Sequence, residues 1–367
     1  MKYLFLVQGE GRGHMTQAIS LLEVLRENNH DVVGVLLGKN PRRQIPEYVY
    51  KKIDTFIAGY DSPNFVFNKS NTGILITRSL VYNILRIRRY IKSLRMIHSI
   101  IKKTNPDVIV NFYDPLGGVY NYFFPGKVFV CIGHQFLITH PDTPRPKGKK
   151  IDNRLLRLHN RVSSLKASKC LALSFREMSG FGTKSIFVVP PLLRKEVLNT
   201  DFKQIREDGY LHGYILNDGF ASEIIKWHRS NPSLHAHFFW DKQGADKSLT
   251  VNDNLVFHQI DDSLFLDYFK NCSMYAGTAG FESLCESMYL RKPFLCVPSE
   301  NHYEQLCNAL DATLDGAGIW DTRFDLDKLL EFRKKYQFDA VRFREWTNKA
   351  PEVFLEHLTG IKTEKPE

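Results

Sequence analysis

The sequence predicts an α/β protein built from two doubly wound, Rossmann-like domains that face a central cleft. Three observations support this fold class. The chain has 367 residues with 43% hydrophobic content, which is enough for two cores of ordinary domain size. Strand and helix patterns alternate along both halves, as in parallel sheets covered by helices. A glycine-containing turn follows the first strand of each half.

The first half opens with a short apolar run that predicts a buried strand over residues 3–7. After a glycine-rich turn, apolar residues at helical spacing predict a helix over 16–27. The later elements predicted in this half are a strand over 31–37, one long helix over 78–103, and strands over 108–110 and 128–131.

An apolar segment with two prolines, residues 186–191, and the charged residues 194–208 predict a connection between domains. We therefore predict one domain over 1–192, a second over 193–340, and a C-terminal helix within 341–367 that packs back on the first domain. The second domain repeats the cycle with a strand over 210–216, a turn at 217–219, a helix over 220–229, and strands at 235–240, 255–257, 274–275 and 294–297.

The composition narrows the class of protein further. A formal net charge of +10 indicates an anionic partner, which could be nucleic acid, a phosphate-bearing molecule or an acidic membrane surface. No apolar run reaches the roughly 18 residues of a membrane span, so a cytoplasmic location is expected. Six cysteines without CxxC spacing predict reduced, packed thiols: Cys131, Cys170, Cys272, Cys285, Cys296 and Cys307.

The first candidate site is the turn Gly9-Glu-Gly-Arg-Gly-His14. Gly9, Gly11 and Gly13 let the backbone turn sharply and approach a ligand, while the next helix offers free N–H groups to an anion or an oxygen-rich substrate. The dinucleotide pattern fits poorly, because the second strand closes on residues 36–39 without an acidic residue. His14 is either a proton acceptor or a helix cap, and the turn alone leaves both open.

The second candidate site lies within residues 272–309. A strand-to-helix loop over Gly277–Gly280 can cradle phosphates, and Glu282 and Glu286 follow on one helix face. A carboxylate repels phosphate but can accept two hydroxyl hydrogen bonds from a ribose, so a nucleotide with its sugar on this helix explains both features. Polar residues suited to the hydroxyls of a second sugar follow at His302, Glu304, Gln305 and Asn308.

These motifs resemble the GT-B glycosyltransferases, especially the MurG-like and UDP-sugar-dependent groups. The opening turn is similar to the glycine-rich turn at the start of MurG-like chains, and Gly133-His-Gln135 resembles their acceptor-side H-E-Q segment. Within residues 257–318 the matching motifs are Ala279-Gly280, Glu286, Lys292-Pro293, Val297-Pro298, Glu304-Gln305 and Asn308-Ala309.

The resemblance implies a metal-independent hexosyltransferase that needs no cofactor and moves a sugar from a nucleotide-diphosphate donor, a UDP-sugar, to an acceptor hydroxyl. Residues 1–192 would bind the acceptor and 193–340 the donor, with His14 as the leading base and His134 as the second candidate. The acceptor-side loop residues are Gly9, Gly11, Gly13 and Gln135. The donor-binding residues are Gly219, Phe257, Ala279, Gly280, Phe281, Glu286, Glu304, Gln305 and Asn308.

Two departures from the family pattern bear on activity. Gln135 replaces an acid, and Asn217-Asp-Gly219 stands where the family has a G-G-S phosphate loop, so weaker or re-routed diphosphate contacts are expected.

Two other functions stay open at this point. A nucleotide-sugar 2-epimerase shares the fold and the donor-site logic but uses no acceptor. A nucleic-acid-binding protein would explain the positive charge, although the sequence has no recognised motif for it and no nucleic-acid partner is expected.

Residues 78–103 combine many cations with a face of apolar residues. One interpretation is a core-packing helix with a solvated basic side. The other is that these cations, with those of residues 145–150, face an anionic bilayer and bring a lipid-linked glycan acceptor to the cleft, which would place the protein at the inner face of the plasma membrane. The apolar positions are Leu80, Ile84, Ile87, Ile91, Leu94 and Ile97.

Overall fold

The computed structural model describes residues 1–9, 11–39, 45–69, 74–181, 185–203, 209–215, 218–242 and 244–359. Within these residues the chain forms two seven-stranded sheets, one in each half, with helices between the strands. The predicted fold class, two doubly wound α/β domains, is confirmed. All six cysteines are free and buried, as predicted.

The first sheet is entirely parallel and has the strand order β3-β2-β1-β4-β5-β6-β7. Its central strands are runs of Val, Ile, Leu and Phe buried on both faces, as expected for a parallel sheet between helical layers. The strands are β1 (Lys2–Val7), β2 (Asp31–Lys39), β3 (Ile57–Asp61), β4 (Val108–Phe112), β5 (Val128–Ile132), β6 (Lys169–Leu173) and β7 (Ile186–Val189).

The second sheet has the order β10-β11-β9-β8-β12-β13-β14, in which only the edge strand β10 runs antiparallel to its neighbour. This one reversed edge strand is compatible with a doubly wound fold. The strands are β8 (Leu211–Ile215), β9 (Ala236–Trp240), β10 (Ser248–Asn252), β11 (Leu255–Gln259), β12 (Met274–Thr278), β13 (Phe294–Val297) and β14 (Gly318–Trp320).

Helices cover both faces of each sheet, and the last three elements of the chain are helices. Short 3₁₀ segments lie at 134–139 and 218–220. No helix in the described ranges is long and apolar enough to cross a membrane. The helices are α1 (Arg12–Glu27), α2 (Glu47–Lys52), α3 (Ile76–Leu85), α4 (Ile87–Thr104), α5 (Pro115–Phe123), α6 (Lys150–Ser163), α7 (Lys195–Leu198), α8 (Ala221–Ser230), α9 (Asp262–Asn271), α10 (Phe281–Tyr289), α11 (Tyr303–Ala312), α12 (Leu326–Lys334), α13 (Ala340–Asn348) and α14 (Ala350–Thr359).

Each sheet has a point where the strand order reverses, between β1 and β4 in the first half and between β8 and β12 in the second. At such a point the loops leaving neighbouring strands diverge to opposite faces of the sheet and leave a crevice for ligands. α1 and α5 follow the two strands of the first reversal, and α8 and α10 follow those of the second. The fold therefore places the opening glycine turn and the loop before α10 at the two crevices.

The single helix predicted over residues 78–103 is wrong. The structure has two helices, α3 and α4, which meet at Arg86, where φ is −102° and ψ is 8°. The apolar residues of this segment are also not buried along its whole length. Ile97 is buried, whereas Leu80 is 62% exposed and Ile87 is 59% exposed. The core-packing interpretation therefore holds only for part of α4.

The prediction for residues 186–191 is also wrong in part, since Ile186–Val189 is not a connection but β7, the edge strand of the first sheet. Its β-branched residues fit a strand that pairs with β6. The charged segment after it is anchored through Arg194, which forms ion pairs with Glu286 and Asp262. Residues 204–208 of that segment lie outside the described residues.

The C-terminal helices return to the first half. Trp346 Nε1 of α13 donates to the carbonyl oxygen of Ser174 (3.0 Å). Tyr3 Oη of β1 donates to the carbonyl oxygen of Leu358 in α14 (3.3 Å), and Phe354 and Leu358 are buried against the first half. The domain boundaries at 192/193 and 340/341 stay predictions.

Gly118 offers a test of how tightly the first half is packed. A Cβ at this position of α5 would lie 1.9 Å from the carbonyl oxygen of Val162 in α6, so backbone would have to move to accommodate it. We expect Gly118→Ala to lower the free energy of unfolding by about 1–3 kcal/mol in urea denaturation. Gly180→Ala, where a Cβ meets nothing within 4 Å, is the control. Equal stability of the two variants would contradict this packing.

Candidate active site

A cavity of about 620 Å³ lies where the carboxyl ends of the two sheets face each other. Its walls come from both halves of the chain: α1 and the segment after β5 on one side, α10 and α11 on the other. Two hydrogen bonds cross between these walls, one buried and one partly buried. Gln17 Nε2 donates to Glu282 Oε1 (2.6 Å), and Gln135 Nε2 donates to Glu304 Oε1 (2.9 Å). The cavity is thus a cleft between two crevices, as ligand sites in open α/β sheets are.

The opening turn brings α1 to the cavity by close backbone contacts. A Cβ on Gly9 would lie 1.6 Å from the carbonyl oxygen of Gly38, so only glycine fits there. Gly9 itself does not line the cavity, whereas Gly11, Gly13 and His14 do. Gly11, the N-cap of α1, has no side chain to cap the first N–H groups of this helix.

His14 is buried beside the cavity and surrounded by polar groups. Its ring stacks with that of Tyr113 at a centroid distance of 5.9 Å. Its Nδ1 lies 3.2 Å from Gln17 Oε1, and its Nε2 lies 3.4 Å from Gln135 Nε2. Burial lowers the pKa of His14 to about 4, so the imidazole is neutral at physiological pH. A neutral ring with one free lone pair can accept a proton.

His134 also lines the cavity, but it is held on both sides. Its Nδ1 donates to the carbonyl oxygen of Leu173 (2.7 Å). Its ring stacks on Phe281 of the other half at 4.1 Å and meets the edge of Phe175 at 5.2 Å. Burial lowers the pKa of His134 to about 4 as well. This packing gives His134 a role in joining the halves and leaves His14 with the freer geometry.

The second half contributes the start of α10. Gly280 precedes the helix with no side-chain cap, and together with Ala279 it leaves room for a ligand at the helix N-terminus. Asn308 Nδ2 donates to the carbonyl oxygen of Ala279 (3.0 Å) and so fixes this loop. The predicted loop was too long, because Gly277 and Thr278 belong to β12.

Glu286 and the pair Glu304-Gln305 lie along the same wall. Arg194 donates to both oxygens of Glu286, at 2.5 and 3.0 Å, and also to Asp262. Gln305 Oε1 accepts from the backbone N–H of Ser299 (2.7 Å), which orients its side chain. Burial raises the pKa of Glu304 to about 7.

Two predicted donor residues lie away from the cavity. Phe257 is fully buried in β11, where its ring stacks with those of Trp240 at 4.7 Å and Phe238 at 5.6 Å. Gly219 lies in the 3₁₀ segment and does not line the cavity. Asn217 of the predicted phosphate turn lies outside the described residues. The remaining predicted site residues line the cavity: Gly11, Gly13, His14, His134, Gln135, Ala279, Gly280, Phe281, Glu286, Glu304, Gln305 and Asn308.

Three of the polar residues lining the cavity, Arg12, Gln17 and Glu282, were not in the predicted donor-binding or acceptor-side sets, although Glu282 was noted beside Glu286. Arg12 pairs with Asp241 through Nη2 (3.2 Å), whereas its buried Nη1 finds no partner among the described residues. Gln17 and Glu282 form the bond between α1 and α10, and burial raises the pKa of Glu282 to about 8. Two of these residues could have been identified from the sequence. Arg12 lies inside the glycine turn, and Glu282 lies one helical turn before Glu286. In the described parts of the chain, no cluster of three or more His, Cys, Asp or Glu side chains could hold a metal ion.

Comparison with solved structures gives glycosyltransferases of the GT-B fold. MurG from Acinetobacter baumannii is 15% identical, with 98% of this chain and 100% of that chain covered and a TM-score of 0.57. The spinosyn rhamnosyltransferase SpnG is 13% identical, with coverages of 98% and 100% and a TM-score of 0.62. A structure of SpnG complexed with thymidine diphosphate is 14% identical, with coverages of 98% and 96% and a TM-score of 0.54. These similarities establish the fold, which is the one the sequence motifs predicted.

No curated protein sequence matches the chain significantly. The sequence model of the family named glycosyl transferase family 1, however, matches residues 1–336, which contain both sheets and every residue of the cavity wall described above. Because this match spans most of the chain, the protein belongs to glycosyl transferase family 1.

Proposed function

We propose that this glycosyltransferase moves a sugar from a nucleoside-diphosphate donor to the hydroxyl of an acceptor with a lipid portion. One observation carries the proposal: a single cavity holds a buried, neutral imidazole on one wall and an uncapped helix N-terminus on the other. Sugar transfer needs a base near the acceptor hydroxyl and positive potential at the leaving diphosphate.

The donor fits the wall formed by α10. The diphosphate would lie at the helix N-terminus, where N–H groups after Gly280 and the unpaired Nη1 of Arg12 neutralise charge without a metal ion. Glu286 would hold the ribose hydroxyls, since a carboxylate has lone pairs left after its two bonds to Arg194. Glu304 and Gln305 would bind the transferred sugar. UDP-sugars are the first donors to test and dTDP-sugars the second.

The acceptor fits the wall of the first half. From His14 the cavity continues between α3 and α6, where its lining is apolar: Phe65, Phe67, Ile74, Ile76, Leu80, Leu155, Leu156 and Leu158. Several of these side chains, including Leu80 and Leu158, are also exposed at the surface. An apolar groove that opens onto an apolar surface suits a lipid-linked glycan whose lipid remains outside.

The surface beside this opening has the chemistry of a membrane contact. Residues 76–104 contain no acidic residue, and Arg88, Arg89, Lys92 and Arg95 are exposed next to the exposed Ile87 and Ile91. We call this surface of α3 and α4 the basic–apolar surface. Cations attract anionic headgroups while apolar side chains enter the interface. Peripheral binding at the anionic inner face of the plasma membrane follows from this proposal.

Replacing the base tests the catalytic part of the proposal. We expect His14→Ala to lower the turnover number for sugar transfer by about 100-fold or more, because general-base catalysis typically contributes that much. Donor affinity, measured by calorimetry with UDP- and dTDP-sugars, should change little. His98→Ala, outside the cavity, is the control. Normal turnover in His14→Ala together with lost turnover in His134→Ala would assign the base to His134.

The buried acids predict how donor affinity depends on pH. Burial raises the pKa of Glu282 to about 8 and that of Glu304 to about 7, so both are largely neutral below those values and become anionic above them. We therefore expect the affinity for UDP-glucose, whose diphosphate charge is constant in this range, to fall between pH 6 and 9. In the Glu282→Gln/Glu304→Gln double variant, the affinity for UDP-glucose should depend less on pH. The control variant Glu331→Gln should show the same pH dependence as wild-type protein. A pH-independent wild-type affinity would contradict this electrostatic account.

Vesicle binding tests the proposed membrane contact. Replacing Arg89, Lys92 and Arg95 with Gln should weaken co-sedimentation with anionic vesicles by roughly 100-fold, since each cation near the surface contributes about 1 kcal/mol. Replacing Arg333, Lys334 and Lys335 with Gln removes the same charge from the second half and should have little effect. If wild-type protein binds neutral and anionic vesicles equally, or if both triple variants bind alike, the basic–apolar surface is not a membrane contact.

A further inference from the structure

The two ring nitrogens of His14 face the amides of two glutamines, and each glutamine is held by a glutamate from the other half. Gln17 lies on the Nδ1 side at 3.2 Å and contacts Glu282 at 2.6 Å. Gln135 lies on the Nε2 side at 3.4 Å and contacts Glu304 at 2.9 Å. His14 therefore sits between two polar contacts that both cross the cleft.

The direction of the hydrogen bonds around Gln17 fixes the proton on His14. The amide NH₂ of Gln17 donates to Glu282 Oε1, which leaves the amide oxygen facing His14 Nδ1. A carbonyl oxygen only accepts hydrogen bonds, so Nδ1 must carry the hydrogen. The Nε2 atom then keeps its lone pair, which is the state required of a base.

The contact between His14 and Gln135 is longer and is compatible with the same protonation state. Its amide NH₂ donates to Glu304 Oε1 and also faces His14 Nε2. An NH₂ group only donates, so an acceptor at His14 Nε2 agrees with this contact, but at 3.4 Å the contact is too long to hold the tautomer by itself. An acceptor hydroxyl that enters the cavity can take the place of this long contact and donate its proton to the same lone pair.

We propose that Gln17 and Glu282 are positioning residues that hold His14 in the Nδ1–H tautomer, and that they do so only while the two halves are in contact. This inference rests on the proposed function, in which His14 is the base. It adds which residues set the protonation state of that base. Glu282 comes from α10, the helix assigned to the donor, whereas His14 comes from α1. Contact between donor wall and acceptor wall would thus set the base in its active form.

The packing at this contact is close enough to make the coupling specific. Glu282 is 8% exposed, and a Cβ on Gly13 would lie 3.1 Å from Glu282 Cγ, tighter than most contacts of real Cβ atoms. The third glycine of the opening turn thereby lets the side chain of Glu282 reach Gln17. Glu282 Oε2 is buried without a partner, so Gln17 is the polar neighbour that holds this carboxyl group.

The other groups around His14 do not take over the role of Gln17 and Glu282 in setting its tautomer. The titratable groups that face it are Tyr113, stacked on its ring, His159 of α6, Glu304 through Gln135, and Glu282 through Gln17. Within the described residues, Gln17 makes the hydrogen-bond contact to Nδ1 of His14, whereas Gln135 lies on the Nε2 side and Tyr113 stacks on the ring face. Since burial keeps the ring neutral, the choice between its two tautomers depends on these neighbours.

Nitrogen-15 NMR of the histidine rings tests the proposal without requiring sugar transfer. In the free wild-type protein we expect His14, assigned from the His14→Asn spectrum, to show a protonated Nδ1 and an unprotonated Nε2. Gln17→Met, which keeps the side-chain length but removes both polar groups, should shift the ring toward the Nε2–H form, and so should Glu282→Leu. Ser20→Ala, buried on the same helix, should leave it unchanged. A wild-type Nε2–H tautomer, or an Nδ1–H tautomer that survives both substitutions, overturns the proposal.

Kinetic measurements on variants of Gln17 and Glu282 distinguish a role in positioning the His14 ring from a role in packing alone. Gln17→Met should lower the turnover number by about tenfold or more with the donor KM unchanged. Gln17→Glu/Glu282→Gln reverses the polarity of the pair while the new carboxylate can still accept from Nδ1, so turnover should recover. That carboxylate should also raise the pKa of His14, which moves the acid limb of kcat/KM to higher pH. No recovery and no shift of the acid limb would contradict positioning.

The two proposals fail in different ways. If wild-type protein transfers no sugar, the proposed function is wrong, and the NMR result still decides whether Gln17 sets the tautomer. If wild-type protein transfers sugar and His14→Ala abolishes the transfer, while Gln17→Met keeps both the wild-type tautomer and turnover, only the positioning role is wrong.

Discussion

A partly buried network of ion pairs links the second half of the chain to the first. The guanidinium of Arg194, in the segment between the sheets, donates to both Glu286 and Asp262 of the second half. Lys52 of α2 in the first half pairs with Asp262 (3.2 Å) and with Glu196 (2.6 Å). Glu286, whose side chain is 1% exposed, is the buried member of this network, and removing the partner of a buried charge typically costs about 3–5 kcal/mol. The positions of the connecting segment, α2, α9 and α10 are therefore interdependent.

This network also explains why the cavity can contain so many polar groups. Arg194 holds the carboxylate of Glu286 at one turn of α10, and that helix in turn places Glu282 against Gln17 one turn nearer its start. Burial raises the pKa of Glu282 to about 8 and that of Glu304 to about 7, so near neutral pH Glu282 is largely protonated and Glu304 is about half protonated. The two cross-cleft bonds therefore carry less negative charge than two carboxylates would. Acidic residues can thus line a pocket proposed for a diphosphate without strongly repelling it.

The fold was predictable because its signals are local. Buried strands such as β1 and β4 are short apolar runs, and the glycine turn before α1 follows from residues adjacent in sequence. Errors arose where local pattern and tertiary environment disagree. Residues 78–103 have helical periodicity throughout, so the break at Arg86 and the exposure of Leu80 could not be read from spacing. Ile186–Val189 was assigned to a connection because its prolines follow directly, although its β-branched residues fit an edge strand.

The site was only partly predictable for a different reason. His14, Glu286 and Glu304 belong to motifs with a recognisable order, and the structure places all three at the cavity. Phe257 belongs to the same segment but points into the aromatic core of the second half, because neighbouring residues of a strand alternate between its faces. Gln17 and Glu282 are 265 residues apart, so no local pattern connects them. Their pairing exists only because two sheets built from distant parts of the chain face each other, and the proposed control of the base is accordingly a property of the closed cleft and of neither half alone.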